Sequence, residues 1–157
     1  MQENKIIVIG PPGSGKTYLS NILGKCFNLP VIHLDEIYYQ NDKPIKAKAF
    51  DLIIDELLKQ DKWIIDGHYF FNLHKRIEKC DSIYFLDLSR EEVYQSLINR
   101  NDDAWYKERG IKDFDNWFNN YETNIRNEIY HLINNCNKKV TTFHSREEVN
   151  EYIKTLL

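Results

Sequence analysis

Cysteine is sparse in this chain, and its placement rules out two architectures at once. The 157 residues contain three, Cys26, Cys80 and Cys136, odd in number and far apart with no Cys-x-x-Cys pair. That excludes a disulfide framework and a cysteine zinc site, and is the pattern of reduced thiols in a cytoplasmic protein. Long hydrophobic runs are missing as well, so no segment reaches the length needed to span a bilayer. The first apolar run starts within a few residues of Met1, leaving no room for a cleavable leader. Positive charge is not in surplus either: 21 basic against 24 acidic side chains, a net −3, supply no field for nucleic acid. A soluble, cytoplasmic protein of one domain spanning 1–157 is expected, as monomer or homodimer.

Glycine is also scarce, six in all, yet three crowd into Gly10-Pro11-Pro12-Gly13-Ser14-Gly15-Lys16-Thr17. This stretch fits G-x-x-x-x-G-K-[ST] at every fixed position. Lys5-Ile6-Ile7-Val8-Ile9 before it reads as a buried parallel strand, and Leu19, Ile22, Leu23 and Cys26 after it recur at helical spacing. Strand, glycine loop and amphipathic helix form the context in which backbone N–H groups can wrap a polyphosphate, because no Cβ intervenes. The following helix adds its free N–H groups and the positive end of its dipole. Lys16 can reach the terminal phosphates, and the Thr17 hydroxyl can ligate Mg²⁺.

Further along, apolar strands alternate with helices. Strands are expected at 31–34, 63–65, 82–86 and 139–143, and helices at 16–27, around 50–58, from 90, around 117–133, and from 146 to the end. Asn28-Leu29-Pro30 closes the first helix, since Pro30 cannot continue it. Tyr38–Pro44 reads as an aromatic, polar loop, and 70–79 as partly helical. Ser89-Arg90-Glu91-Glu92 and Ser145-Arg146-Glu147-Glu148 are two capping boxes, each at a strand-to-helix junction. Such alternation predicts a parallel sheet covered on both faces, with right-handed crossovers and ligands at the carboxyl ends of the strands.

That rule selects carboxylates. Asp66 ends the strand at 63–65 and is the candidate to hold Mg²⁺ through water. Asp35 holds a similar position and is a candidate either to bind Mg²⁺ or to accept a proton from an attacking hydroxyl. Asp87 reads as an ordinary strand-end residue before the Ser89 cap. Positive groups that would close over a transferred phosphate are sought in a charged insertion around 100–114, with Arg100 and, on the following helix, Arg126 as the candidates. His68 and Tyr69 are candidates to line an acceptor pocket.

Together these stretches resemble the small phosphate-loop kinases of the adenylate kinase, shikimate kinase and gluconate kinase type. More narrowly, they resemble the adenylate kinase-related topology modulation proteins. The residues that carry the likeness are Gly10 to Thr17, Pro30-Val31-Ile32-His33-Leu34-Asp35, Trp63-Ile64-Ile65-Asp66-Gly67-His68-Tyr69, Phe85-Leu86-Asp87-Leu88, and the helix with Trp117, Tyr121 and Arg126. The resemblance implies a three-layer α/β/α P-loop NTPase fold, its five-stranded parallel sheet in the order 2-3-1-4-5 with a short lid. It implies ATP and Mg²⁺ as cofactors, and transfer of the γ-phosphoryl to a small acceptor, a nucleotide among the candidates. His68 stands where these proteins usually have Asn, and the lid carries fewer arginines than theirs.

The sequence-level reading is thus an ATP-dependent kinase acting on a small molecule. The alternative is a nucleotide-binding regulator or weak ATPase without such an acceptor. A GTPase is disfavoured, because Asn137-Lys138-Lys139-Val140 fails the Asn-Lys-x-Asp pattern at its last position.

Overall fold

Strand β1 (Lys5–Ile9) is sealed from solvent over Ile6, Ile7, Val8 and Ile9, on both of its faces. Only a central strand between two layers of helices can bury successive residues in this way. The computed structural model, which describes residues 2–99 and 113–157, places β1 there. On one side it pairs in parallel with β5 (Trp63–Asp66), in the register Ile7 to Ile65, and on the other with β6 (Ser82–Leu86), Ile7 to Ile83. The edge strands β2 (Val31–His33) and β7 (Lys139–Phe143) are only partly buried, as edges are. The sheet order is β2-β5-β1-β6-β7, which is 2-3-1-4-5 when its five strands are counted alone.

Helix α1 (Lys16–Phe27) starts on Gly15 and buries Leu19, Ser20, Leu23 and Gly24. It ends where Asn28 turns left-handed (φ 54°) and returns its N–H to the Gly24 carbonyl, the stop that Pro30 enforces. At Gly24 the helix presses so closely on β2 that an added Cβ would lie 2.4 Å from Val31 Cγ2.

The chain after β2 departs from the expected strand and loop. Leu34 already belongs to a short helix, α2 (Leu34–Tyr38). Residues 39–44 then form a hairpin of β3 (Tyr39–Gln40) and β4 (Lys43–Pro44), turned by Asn41 and Asp42 at φ 53° and 62°. Asn and Asp are the side chains that best tolerate that conformation, so the two-residue turn is chemically apt.

Helix α3 (Ala47–Leu58) buries Phe50, Ile54 and Leu58 and leaves Leu52 exposed. After β5 come a 3₁₀ turn (Phe70–Asn72) and α4 (Leu73–Lys79), the partly helical segment expected. Helix α5 (Arg90–Asn99) has its Glu92 N–H on Ser89 Oγ at 3.3 Å. A helical run over 113–120 passes through a π-turn (Tyr121–Ile125) into α6 (Arg126–Asn134). Ser145 caps α7 (Arg146–Leu156), accepting from the Glu148 N–H at 3.1 Å. Both capping serines therefore act as their sequence context predicts.

Candidate functional site

All five strands end at the same edge of the sheet. Val8 and His33 both lie in register with Asp66, Ile9 with Phe85, and Leu86 with Phe143. The Asp87 N–H then reaches the Phe143 carbonyl at 2.8 Å. This shared edge brings Gly10, Asp66 and Asp87 together although they are far apart in the chain.

The glycine loop leaves β1 and winds into α1. Its turns require left-handed backbone at Gly10, Gly13 and Gly15. Gly13 (φ 81°) shows why no side chain fits, since a Cβ there would lie 2.8 Å from Leu97 Cγ, so closely does α5 pack. The Lys16 ammonium folds back onto the Pro11 carbonyl at 2.9 Å. Ser14 Oγ is enclosed without a hydrogen-bond partner, and the Thr17 side chain is exposed at the mouth. A glycine cradle, a cation poised over it and an orphaned buried hydroxyl suit a polyphosphate. Among the described residues no group of three or more His, Cys, Asp or Glu side chains could hold a metal ion. The protein groups here that could hold a divalent cation beside a bound phosphate are Thr17 and Asp66.

Asp66 is buried, and its Oδ2 lies 2.5 Å from His33 Nδ1. His33 Nε2 continues to Asn21 Oδ1 on α1 at 3.2 Å. Burial raises the Asp66 carboxyl above its ordinary range, against the downward pull of His33, the Ser20 hydroxyl and Lys16. The carboxylate thus sits within the field of the phosphate-loop lysine.

Asp35 is in the first turn of α2, exposed, and accepts a hydrogen bond from the Tyr69 hydroxyl at 2.5 Å. Tyr69 packs against Tyr38 (ring centroids 4.9 Å apart) and Phe50 (4.8 Å), with Tyr39 beyond Tyr38. Tyr69 follows Gly67 (φ 147°), where a Cβ would fall 2.8 Å from the Leu34 Cβ. His68, between them, faces the Gly10 carbonyl and turns its ring edge-on to Trp117, centroids 5.1 Å apart. Its Nδ1 is enclosed without a partner. Burial, then the charges of Lys16 and Arg76, press the imidazole down to about 3, so it is neutral at physiological pH.

Arg126 has a partner. Its Nε and Nη2 donate to the two Asp87 oxygens at 2.8 and 2.7 Å, and Tyr130 donates to the same carboxylate. Asp87 is 2% exposed at the side chain and Arg126 40%, so the guanidinium keeps a face to solvent while its fork is engaged. Asp87 is therefore more than a strand end: it anchors the arginine expected at the phosphate. Arg100 and most of the insertion around 100–114 lie outside the described residues.

Other residues at this edge carried no sequence signal or a misleading one. Arg146 donates to Ser96 Oγ at 2.5 Å and to the Gly13 carbonyl at 3.3 Å, bracing the glycine loop from α7. In sequence it is only the second residue of a capping box. Glu92, the fourth residue of the other box, takes the Arg146 N–H at 3.2 Å and so joins the two junctions. Arg76, on α4, is fully buried beneath the Gly67–Tyr69 loop.

No family model matches the chain. It is 21% identical over 127 residues to an adenylate kinase of Encephalitozoon cuniculi, spanning 65% of this chain and 69% of that relative. To an adenylate kinase of Clostridium acetobutylicum it is 26% identical over 126 residues, spanning 61% of this chain and 59% of that relative. In structure it is similar to shikimate kinase from Bacteroides thetaiotaomicron, with a TM-score of 0.71, 16% identity, and coverage of 98% and 96% of the two chains. It is also similar to a gluconokinase from Sinorhizobium meliloti (TM-score 0.61, 12% identity, 98% and 89%). Deoxyadenosine kinase from M. mycoides is similar as well (0.54, 13%, 96% and 97%). The fold is that of the P-loop small-molecule kinases, and the sequence resembles their adenylate kinase branch.

Proposed function

We propose that this chain is an ATP-dependent kinase that transfers a phosphoryl group to a hydroxyl of a small molecule. One observation carries the reading: the glycine loop and the buried Asp66 open on the same edge as the exposed Asp35 and Tyr69. That arrangement provides a grip for a triphosphate and, beside it, a carboxylate able to receive a proton. The resemblance to kinases with different acceptors supports the reaction type and leaves the acceptor's identity open.

The roles follow from the chemistry of each group. Lys16 exchanges the Pro11 carbonyl for the terminal phosphates, while the loop N–H groups and the amino end of α1 face the remaining oxygens. Thr17, and Asp66 through water, would hold a Mg²⁺ bound with ATP, which would neutralise phosphate charge there. Asp35 orients the acceptor hydroxyl and takes its proton, with Tyr69 holding the carboxylate in place. Arg126, fixed by Asp87, and Arg100 add positive charge around the transferred group. Neutral His68 fills the space between the phosphate loop and the acceptor side without adding charge.

The test is ADP release from Mg-ATP across a panel of nucleosides, nucleotides and small hydroxy compounds, with Lys16→Ala as control. Release that depends on one acceptor class and vanishes in the control is the expected outcome. Slow release that no acceptor accelerates would replace this proposal with a regulatory ATPase.

A further inference from the structure

We infer that Arg76 is a positioning residue for the acceptor side, acting through the Gly67–Tyr69 backbone; the inference rests on the kinase reading for its catalytic meaning. Its guanidinium is wholly buried, and among the described residues no carboxylate lies within ion-pair distance of it. Its donors go elsewhere. Nε donates to Asn72 Oδ1 at 3.0 Å, Nη1 to the Gly67 carbonyl at 3.1 Å, and Nη2 to the carbonyls of His68 at 3.1 Å and Tyr69 at 2.7 Å. Three consecutive carbonyls are thus drawn onto one planar fork.

The charge of Asp66 acts on the guanidinium from beyond ion-pair contact, so the cost of burying this cation is offset chiefly by its hydrogen bonds to these acceptors. What the guanidinium alone supplies is direction, because its donors are rigidly coplanar. With the carbonyls turned inward to Arg76, the side chains they belong to are sent outward to separate tasks. His68 goes to the Gly10 carbonyl and the phosphate loop, and Tyr69 goes to Asp35. One residue that touches neither substrate therefore sets the spacing between donor and acceptor groups. Lysine cannot replace it, since a single ammonium does not span three carbonyls in this geometry.

The full chain is compared as wild type, Arg76→Lys, the milder Asn72→Ser, which loosens the fork and keeps the cation, and Ile77→Ala, a buried neighbour on α4. The probes are Mg²⁺ with a non-hydrolysable ATP analogue for the donor side, and ring NMR signals of Tyr69 and His68 in the ligand-free protein. With an active acceptor, KM and kcat are added. Arg76→Lys is expected to bind the analogue within about twofold of wild type, to move both ring signals, and to lose about tenfold or more in acceptor kcat/KM. Asn72→Ser should change in the same direction by less, and it carries the test if Arg76→Lys does not fold. Ile77→Ala should lower the melting temperature and leave rings and acceptor kinetics as in wild type. Unmoved rings in both fork variants, or equal movement in Ile77→Ala, would reduce Arg76 to a core residue. If wild type phosphorylates no acceptor, the kinase reading fails, while the ring signals still decide whether Arg76 directs the loop.

Discussion

Asp35 and Tyr69 come from segments 34 residues apart, and their 2.5 Å contact is the smallest unit of the proposed acceptor side. If Asp35 takes the proton, Asp35→Asn should lower kcat by about 10²- to 10⁴-fold, with Mg-ATP affinity near wild type. Tyr69→Phe, which only frees the carboxylate to turn, should cost less. Steady-state kinetics with both substrates varied distinguishes the two, and an Asp35→Asn enzyme of full kcat would remove the base assignment. His68 supplies a pH signature. Its imidazole titrates near 3 in the folded protein and near 6.5 when unfolded, so between those values the unfolded chain binds a proton that the folded one refuses. The His68 contribution is complete above pH 6.5 and declines as pH falls toward 3, with a slope of at most about 1.4 kcal/mol per pH unit. Asp66 works in the opposite sense, because its raised pKa lets the folded state keep a proton, a contribution lost as pH rises through that pKa. Urea unfolding of wild type against His68→Asn at pH 7 and pH 4.5 isolates the histidine. A variant as acid-sensitive as wild type would contradict its enclosure.

The π-turn at Tyr121–Ile125 shows what one element can do with one extra residue. The Arg126 N–H closes onto the Tyr121 carbonyl, five residues back, so the helix is locally wider. In a regular α-helix Tyr121 and Arg126 would point well apart. Here Tyr121 is buried close to His68 (centroids 5.9 Å), its phenol held protonated by burial and by Asp87, while Arg126 still reaches Asp87. Deleting Asn124, whose side chain donates to Asn120, places Tyr121 and Arg126 four positions apart, so an ordinary α-turn would then present both to the same side. Helix content by circular dichroism and the Arg126–Asp87 coupling should both persist, and loss of activity in this deletion would show that the wide turn itself is needed. The ion pair itself is measurable by a double-mutant cycle. Arg126→Gln strands a carboxylate that is 2% exposed, at a cost of about 2–3 kcal/mol, less than for a fully buried pair because Arg126 is 40% exposed. Asp87→Asn in the same background should recover part of that loss, and purely additive effects would deny the coupling.

For the molecule as a whole, ligand binding and folding are one equilibrium. Mg-ATP at about 100 times its dissociation constant should add about 2.7 kcal/mol, or roughly 5–10 °C in Tm for a chain of this size. Lys16→Ala should erase that shift in a thermal melt. The strand order followed from the resemblance to the phosphate-loop kinases. The strands themselves and the phosphate loop were legible in the sequence because each depends on local patterns, apolar runs and a spaced glycine motif. The hairpin at Tyr39–Pro44, the wide turn at Tyr121 and the buried partners of Arg76 and Arg126 were not, because they arise where distant segments meet and leave no period in the chain. Asp87 was within reach of the strand-end rule that selected Asp66; reading it as a neighbour of the Ser89 cap hid the arginine it holds. Helix α1 shows how such long-range terms reach the site. It begins at Gly15, carries Asn21 to His33 and so to Asp66, and then rests its Gly24 directly on Val31. The helix is therefore a spacer between the glycine loop and the sheet's outer strand, and its length of contact is set by a residue with no side chain. A single methyl group at position 24, on the third turn from the loop, would wedge the spacer outward and be felt first at the carboxylate.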